Sequence, residues 1–200
     1  MKEKKYEEYL QQQSWYHGTT LAQCKNIILK GIKYNYNEGT ELDFGYGFYM
    51  APKFEQAEKY IMQMLPYIPG DVEDKVPVVI EFEFSCTPYV EIKTNTKFLK
   101  YDEEFARFVL MNRMNPDSMN HNHEFIIGVM SDSNPVADIM KLRNHEISLE
   151  EVLQNFMRWT SMEQLSLHTQ DLCDKLIMKK VTYVTDGKEL DINDIKTGNY

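Results

Sequence analysis

"DFGYGFYMAPKFEQAEKY", residues 43–60, joins a glycine- and aromatic-rich turn to a helical pattern. Gly45 and Gly47 stand among Phe44, Tyr46, Phe48 and Tyr49. Glycine packs nothing and loses much chain entropy on folding, so two in a short apolar stretch need a reason. One reason is a bulged turn feeding a core strand. The other is a flat group lying against the backbone. "GFYMA" reads as the strand, and "KFEQAEKYIMQML" reads as a helix stopped by Pro66. Tyr60 falls eleven residues after Tyr49, on that helix. A strand–turn–helix can fold back so that the two rings face one another, either as core tyrosines or as the walls of a slot for a planar heterocycle.

Upstream, "SWYHG" (14–18) predicts a short strand and "TTLAQCKNIILKG" (19–31) a helix, capped by Thr19 or Thr20 and ended by Gly31. Downstream, "VPVVIEFEFS" (76–85) alternates as a strand, "YVEIK" (89–93) predicts another, and "DEEFARFVLMNRM" (102–114) predicts a helix with acidic residues in its first turn. "EFIIGVM" (124–130) is an apolar strand, and "NPVADIMKL" (134–142) and "SLEEVLQNFMRW" (148–159) are helices, the second with a capping box at Ser148 and Glu151. "EQLSLH" (163–168) predicts a strand, "TQDLCDKLIMKK" (169–180) a helix and "VTYVT" (181–185) a last strand. Strands and helices mix without regular alternation, which gives an α+β fold. The expected organisation is a polar arm over 1–13, one domain over 14–186 and a C-terminal tail over 187–200.

The chain of 200 residues carries a formal net charge of −9, with a pI of about 5.1, which disfavours general binding to phosphate backbones. Cys24, Cys86 and Cys173 are far apart and include no CxxC pair, so neither a disulfide framework nor a zinc module is expected. "HNHE" (121–124) sits in a polar loop without a second ligand set, and no metal is expected. The N-terminal "MKEKKYEEYLQQQ" has no apolar core of a secretory signal, and no apolar run approaches membrane-spanning length. These features predict a cytoplasmic protein, or one delivered into a target cell by a signal-less route, with no membrane partner.

Two further segments offer chemistry. In "YHGTT" a histidine–glycine pair, His17 and Gly18, ends a strand before a helix, where a surface histidine beside a turn glycine is the plain alternative. On the strand "EQLSLH", Gln164, Ser166 and His168 share one face and Leu165 and Leu167 the other, so Gln164 and Ser166 are expected to line a cleft, and His168 to be a surface or supporting residue.

Taken in order, "WYHGTTLAQCKNIILKGIK", "FGYGFYMAPKFEQAEKY" and "EQLSLH" resemble the H–Y–E branch of the ADP-ribosyltransferases, which includes poly(ADP-ribose) polymerases and diphtheria toxin. The wider pattern, with "FARFVLMNR", "EFIIGVMSD" and "QLSLHTQDLCDKL", also resembles a bacterial family of unknown function in the same superfamily. The resemblance implies a split mixed or antiparallel sheet with surrounding helices. It implies NAD as substrate, with His17, Gly18, Thr19, Gly47, Tyr49 and Tyr60 as its binding residues and His17, Tyr49 and Gln164 as the catalytic set. His17 resembles the histidine bonded to the adenosine ribose, the Gly18 backbone resembles the group that grips the nicotinamide carboxamide, and Tyr49 and Tyr60 resemble the rings that sandwich nicotinamide. Ala57 stands where the polymerases carry serine, and Gln164 stands where they carry the catalytic glutamate.

Transfer of ADP-ribose passes through an oxocarbenium-like ribose, which a carboxylate at the 2′-hydroxyl both orients and stabilises. Glutamine keeps an acceptor oxygen and loses the charge. A deficit of about 1–3 kcal/mol corresponds to roughly 5- to 150-fold in rate, so glutamine implies a slower enzyme, and Gln164→Glu is expected to raise turnover. Glu163 would take over if the strand slipped by one residue. The function expected is mono-ADP-ribosyl transfer to a macromolecule, in the setting of a bacterial toxin or defence effector with a cognate antitoxin. The alternatives are an NAD glycohydrolase and an NAD- or ADP-ribose-binding module. An RNA 2′-phosphotransferase needs a basic pocket that this acidic chain does not announce.

Overall fold

The computed structural model describes residues 10, 14–71, 75–85, 95–98, 100–131, 136–156 and 162–197. In chain order the elements are β1 (Trp15–Thr20), α1 (Leu21–Lys30), β2 (Phe48–Met50), α2 (Phe54–Met64), β3 (Pro77–Phe84), β4 (Asn95–Phe98) and α3 (Glu103–Met114). There follow β5 (Phe125–Val129), α4 (Val136–Arg143), α5 (Leu149–Phe156), β6 (Glu163–Leu167), α6 (Gln170–Cys173), β7 (Leu176–Tyr183) and α7 (Ile192–Thr197). The fold is α+β, with an antiparallel and a mixed sheet flanked by helices. Among the described residues no helix is long and apolar enough to cross a membrane.

The chain forms two compact units. The first comprises Met1–Lys33, Tyr49–Val90 and Gln170–Tyr200, and the second comprises Tyr34–Phe48 and Glu91–Thr169.

In the first unit β3 is the central strand of the order β1-β3-β7, antiparallel to both neighbours. Its sequence says why: Val78, Val79, Ile80 and Phe82 are all buried, as a strand flanked on both edges requires. Thr20 caps α1 by accepting the N–H of Gln23, and Gly31 ends that helix at φ 79°, a conformation only glycine adopts without strain. Helix α2 packs on β1 and β3 through Ala57, with Ala51, Val79, Tyr16 and Phe54 around it. The segment set apart as a C-terminal tail carries α7, which buries Ile195 and packs against α1.

In the second unit β5 lies between β4, to which it is parallel, and β6, to which it is antiparallel. Phe44, from the glycine-rich stretch, packs with Phe98, Phe105 and Phe108 at ring-centroid separations of 6.1–6.4 Å. A Cβ on Gly128 would stand 2.8 Å from Cζ of Phe44, so β5 carries glycine where that ring crosses it.

Three expectations are corrected. Residues 169–180 are not one helix: α6 stops at Cys173, and the strand expected from Val181 begins at Leu176. Local helical preference yields there to the ladder with β3, in which Phe84 pairs with Leu176 and Glu83 with Ile177. Ser166 does not line an open cleft, and His168 is not a surface residue. Leu165, Ser166 and Leu167 have no exposed surface, because β6 is covered on both faces. The expected strand over 89–93 and Cys86 lie outside the described residues, as does most of the arm over 1–13.

Candidate functional site

The histidine–glycine pair sits on β1, at the edge of the first unit's sheet. The register pairs His17 with Ile80 and Gly18 with Val79. The N–H and C=O of Tyr16 turn away from β3 to bond Ala51, at 2.9 and 2.7 Å, while Leu21 N–H turns to Val76 on the β3 side. In an antiparallel strand these directions alternate by residue. The N–H and C=O of Gly18 therefore point, like those of Tyr16, to the outer edge. A donor and an acceptor from one residue thus stand side by side, which is the complement of a primary carboxamide.

Gly18 is glycine for a second reason. A Cβ there would stand 2.2 Å from the carbonyl oxygen of Ala57 and 3.2 Å from Cβ of Ile61. That contact sets the approach of α2 to β1. Ala57 is 3% exposed. Tyr60 lies three residues further along α2 and is 42% exposed. Tyr49 is half-buried on β2.

His17 is tied to the same segment. Its Nδ1 lies 2.7 Å from the carbonyl oxygen of Tyr49. A carbonyl only accepts, so Nδ1 carries the proton and Nε2 of the neutral ring has acceptor character. Burial lowers the His17 pKa, against the raising effect of the Tyr49 bond, so the ring is neutral near pH 7. Thr19 is buried beside it.

In the second unit Gly47 is held from two sides. Asn37 receives the Gly47 N–H on Oδ1 and donates Nδ2 to the Gly47 carbonyl, both at 2.9 Å, imitating a paired strand. A Cβ on Gly47 would lie 2.8 Å from Nδ1 of His168 and 2.9 Å from the Leu167 carbonyl oxygen. Packing inside this unit thus accounts for Gly47, and Gly45 is required by its φ of 76°.

Gln164, on β6, is 7% exposed. Its Nε2 donates to Oδ2 of Asp43 at 2.9 Å and to the Val129 carbonyl at 3.4 Å. Asp43, 6% exposed, also accepts the Ser131 N–H on Oδ2 at 2.9 Å and, on Oδ1, Nη2 and Nε of Arg113 at 2.6 and 2.9 Å. Arg113 in turn donates Nη1 to the Glu41 carbonyl. A buried carboxylate is here matched by a guanidinium and two N–H donors, as a low-dielectric site demands.

Two residues on, Ser166 Oγ lies 2.8 Å from His168 Nε2, and His168 Nδ1 lies 2.8 Å from the Tyr46 carbonyl. The carbonyl fixes the proton on Nδ1, so Ser166 donates to Nε2. The serine is wholly enclosed, which makes this pair a structural clamp and not a nucleophile with its base. Burial first, then the neighbouring His121, takes the His168 pKa down to about 3, against the raising effect of the Tyr46 bond. His121 donates Nε2 to the Phe44 carbonyl at 2.8 Å and accepts the His123 N–H on Nδ1 at 3.1 Å. Both ring nitrogens are used, so a metal would have to displace a hydrogen bond. Among the described residues no three His, Cys, Asp or Glu side chains are grouped to hold a metal ion.

The sequence model of one protein family, described as "Protein of unknown function (DUF3990)", matches residues 14–178. The chain belongs to the DUF3990 family. Comparison with curated proteins and with solved structures finds no match.

Of the residues singled out in the sequence of this DUF3990 protein, His17, Gly18, Thr19, Tyr49 and Tyr60 belong to the first unit, and Gly47 and Gln164 to the second. Asn37, Asp43 and Arg113 were not singled out, and His121 was weighed only as part of a possible metal motif. Asp43 had a signal, an acid directly before an aromatic–glycine run. Arg113, 70 residues away, had none.

Proposed function

We propose that the protein is an NAD-dependent mono-ADP-ribosyltransferase acting on a macromolecular acceptor. The observation that carries this reading is the edge of β1 at Gly18, where one residue offers both N–H and C=O, the pairing that the carboxamide of nicotinamide needs. The neutral His17 ring, in one tautomer, has the acceptor chemistry that a ribose hydroxyl seeks. Tyr49 and Tyr60 supply flat faces for the pyridinium ring.

In the reaction the bond between ribose C1′ and the nicotinamide nitrogen breaks, and its electron pair leaves with nicotinamide. The ribose becomes an oxocarbenium ion, which the acceptor's nucleophile attacks as it loses its proton. Fixing the carboxamide keeps the leaving group in place while the ribose moves. By the resemblance, Gln164 is the acceptor of the ribose 2′-hydroxyl. A toxin or defence effector with a cognate antitoxin is the setting the same resemblance suggests.

One observation favours a second reading, an NAD- or ADP-ribose-binding module without turnover. The amide of Gln164 is uncharged, and the carboxylate behind it is balanced by Arg113. Incubation of the purified protein with NAD, with nicotinamide followed by chromatography, separates the two. Release above the buffer rate, abolished in Tyr49→Ala, supports turnover of NAD and excludes the module. NAD binding without release supports the module.

A further inference from the structure

We propose that Asp43 is the positioning residue for Gln164, and that the second unit is built for glutamine at that position and not for glutamate; the catalytic part of this inference rests on the reading above. The two ends of a glutamine amide have nearly the same shape, so shape alone cannot orient it. Here two acceptors stand on one side, Asp43 Oδ2 at 2.9 Å and the Val129 carbonyl at 3.4 Å. Only the NH₂ end satisfies them, so Oε1 points the other way, where no described residue donates to it. Oε1 is thereby held as the acceptor that a ribose hydroxyl requires.

Asp43 is itself fixed before it acts on Gln164. Arg113 occupies Oδ1 through two N–H groups, and the Ser131 N–H shares Oδ2 with Gln164. The carboxylate can neither rotate away nor present a donor. Because Arg113 balances its charge, what Asp43 contributes is direction and polarisation of the amide, not a net negative charge.

A glutamate at 164 would set its carboxylate against Asp43 Oδ2 and the Val129 carbonyl, acceptor against acceptor. The structure therefore reverses the expectation from sequence. Gln164→Glu lowers turnover and stability, although it recreates the residue of the polymerases.

The test is a double-mutant cycle on the full chain with Asp43→Asn, Gln164→Glu and the pair together, read by nicotinamide release and by melting temperature. In Asp43→Asn the new NH₂ attracts Oε1, the amide of Gln164 turns over, and kcat falls by at least tenfold while KM for NAD stays within about threefold. Gln164→Glu falls by a similar factor. The combined variant, in which an amide again faces a carboxylate, is more active and melts higher than the single effects sum to. Additive losses in both readouts overturn the proposal. If Asp43→Asn does not fold, Gln164→Glu decides alone: a folded variant with turnover above wild type overturns it, and turnover below supports it. If the wild-type chain releases no nicotinamide, the catalytic part falls with the transferase reading. Coupling in melting temperature then still decides whether Asp43 and Gln164 act as a pair.

Discussion

The His168 ring stands 2.8 Å from the point that a Cβ on Gly47 would occupy. The glycine and the histidine are therefore one feature. Gly47→Ala must push back a ring that is held at both nitrogens, by Tyr46 and by Ser166. Overpacking of this kind costs about 1–3 kcal/mol. The urea midpoint of Gly47→Ala is expected to drop accordingly. His168→Ala should cancel part of that loss when the two are combined, and strictly additive midpoints would separate them.

The buried histidines give the protein a definite response to acid. His17, His121 and His168 all have folded-state pKa values below their ordinary range, His168 at about 3. A histidine with a lowered folded pKa contributes stability that is complete above the unfolded value near 6.5 and is lost as pH falls below it. For His168 the loss continues toward pH 3, at about 1.4 kcal/mol per pH unit. Urea unfolding between pH 7.5 and 5 should show falling stability, and the His168 resonances in the folded protein should move little over that range. A flat stability profile would mean that these rings are open to water.

Arg113 and Asp43 are 14% and 6% exposed and meet at 2.6 Å. Removing one partner leaves a buried charge without its counter-ion, which typically costs 3–5 kcal/mol, on the order of a third of a domain's stability. Arg113→Ala is expected to melt far below wild type. The exposed pair of Arg107 with Glu103 on the same helix is expected to contribute well under 1 kcal/mol.

How much of this was legible in the chain depends on the range of the physics. Thr20, Gly31 and the first turn of α3 act within four residues, and sequence spacing finds them. The alternation of β3 is similarly local. The early start of β7 is not, because pairing with β3, about 90 residues away, overrides the helical look of "DLCDKLIMKK". Strand alternation on β6 put Gln164, Ser166 and His168 on one face and misjudged the exposure of Ser166 and His168, since alternation separates faces and cannot say what covers each. The Asp43 acceptor for Gln164 lies 121 residues away, beyond any pattern in a single sequence.

Tyr60 separates binding from folding. Its ring is 42% exposed, so Tyr60→Ala should leave stability within about 0.5 kcal/mol of wild type. If the ring stacks on nicotinamide, the same change weakens NAD binding by about 1–3 kcal/mol. Calorimetry with NAD and with ADP-ribose resolves it. A loss confined to NAD places the ring on the nicotinamide, and an equal loss for both ligands removes it from that role.

The central claim, transfer of ADP-ribose from NAD to a macromolecule, is tested most directly by one incubation. NAD labelled in its adenylate half is mixed with the purified protein and a bacterial lysate, and the products are separated into macromolecule-bound label, free ADP-ribose and intact NAD. The account predicts label on a macromolecule, lost in Tyr49→Ala and strongly reduced in His17→Ala. Label recovered only as free ADP-ribose, or as untouched NAD, would contradict it.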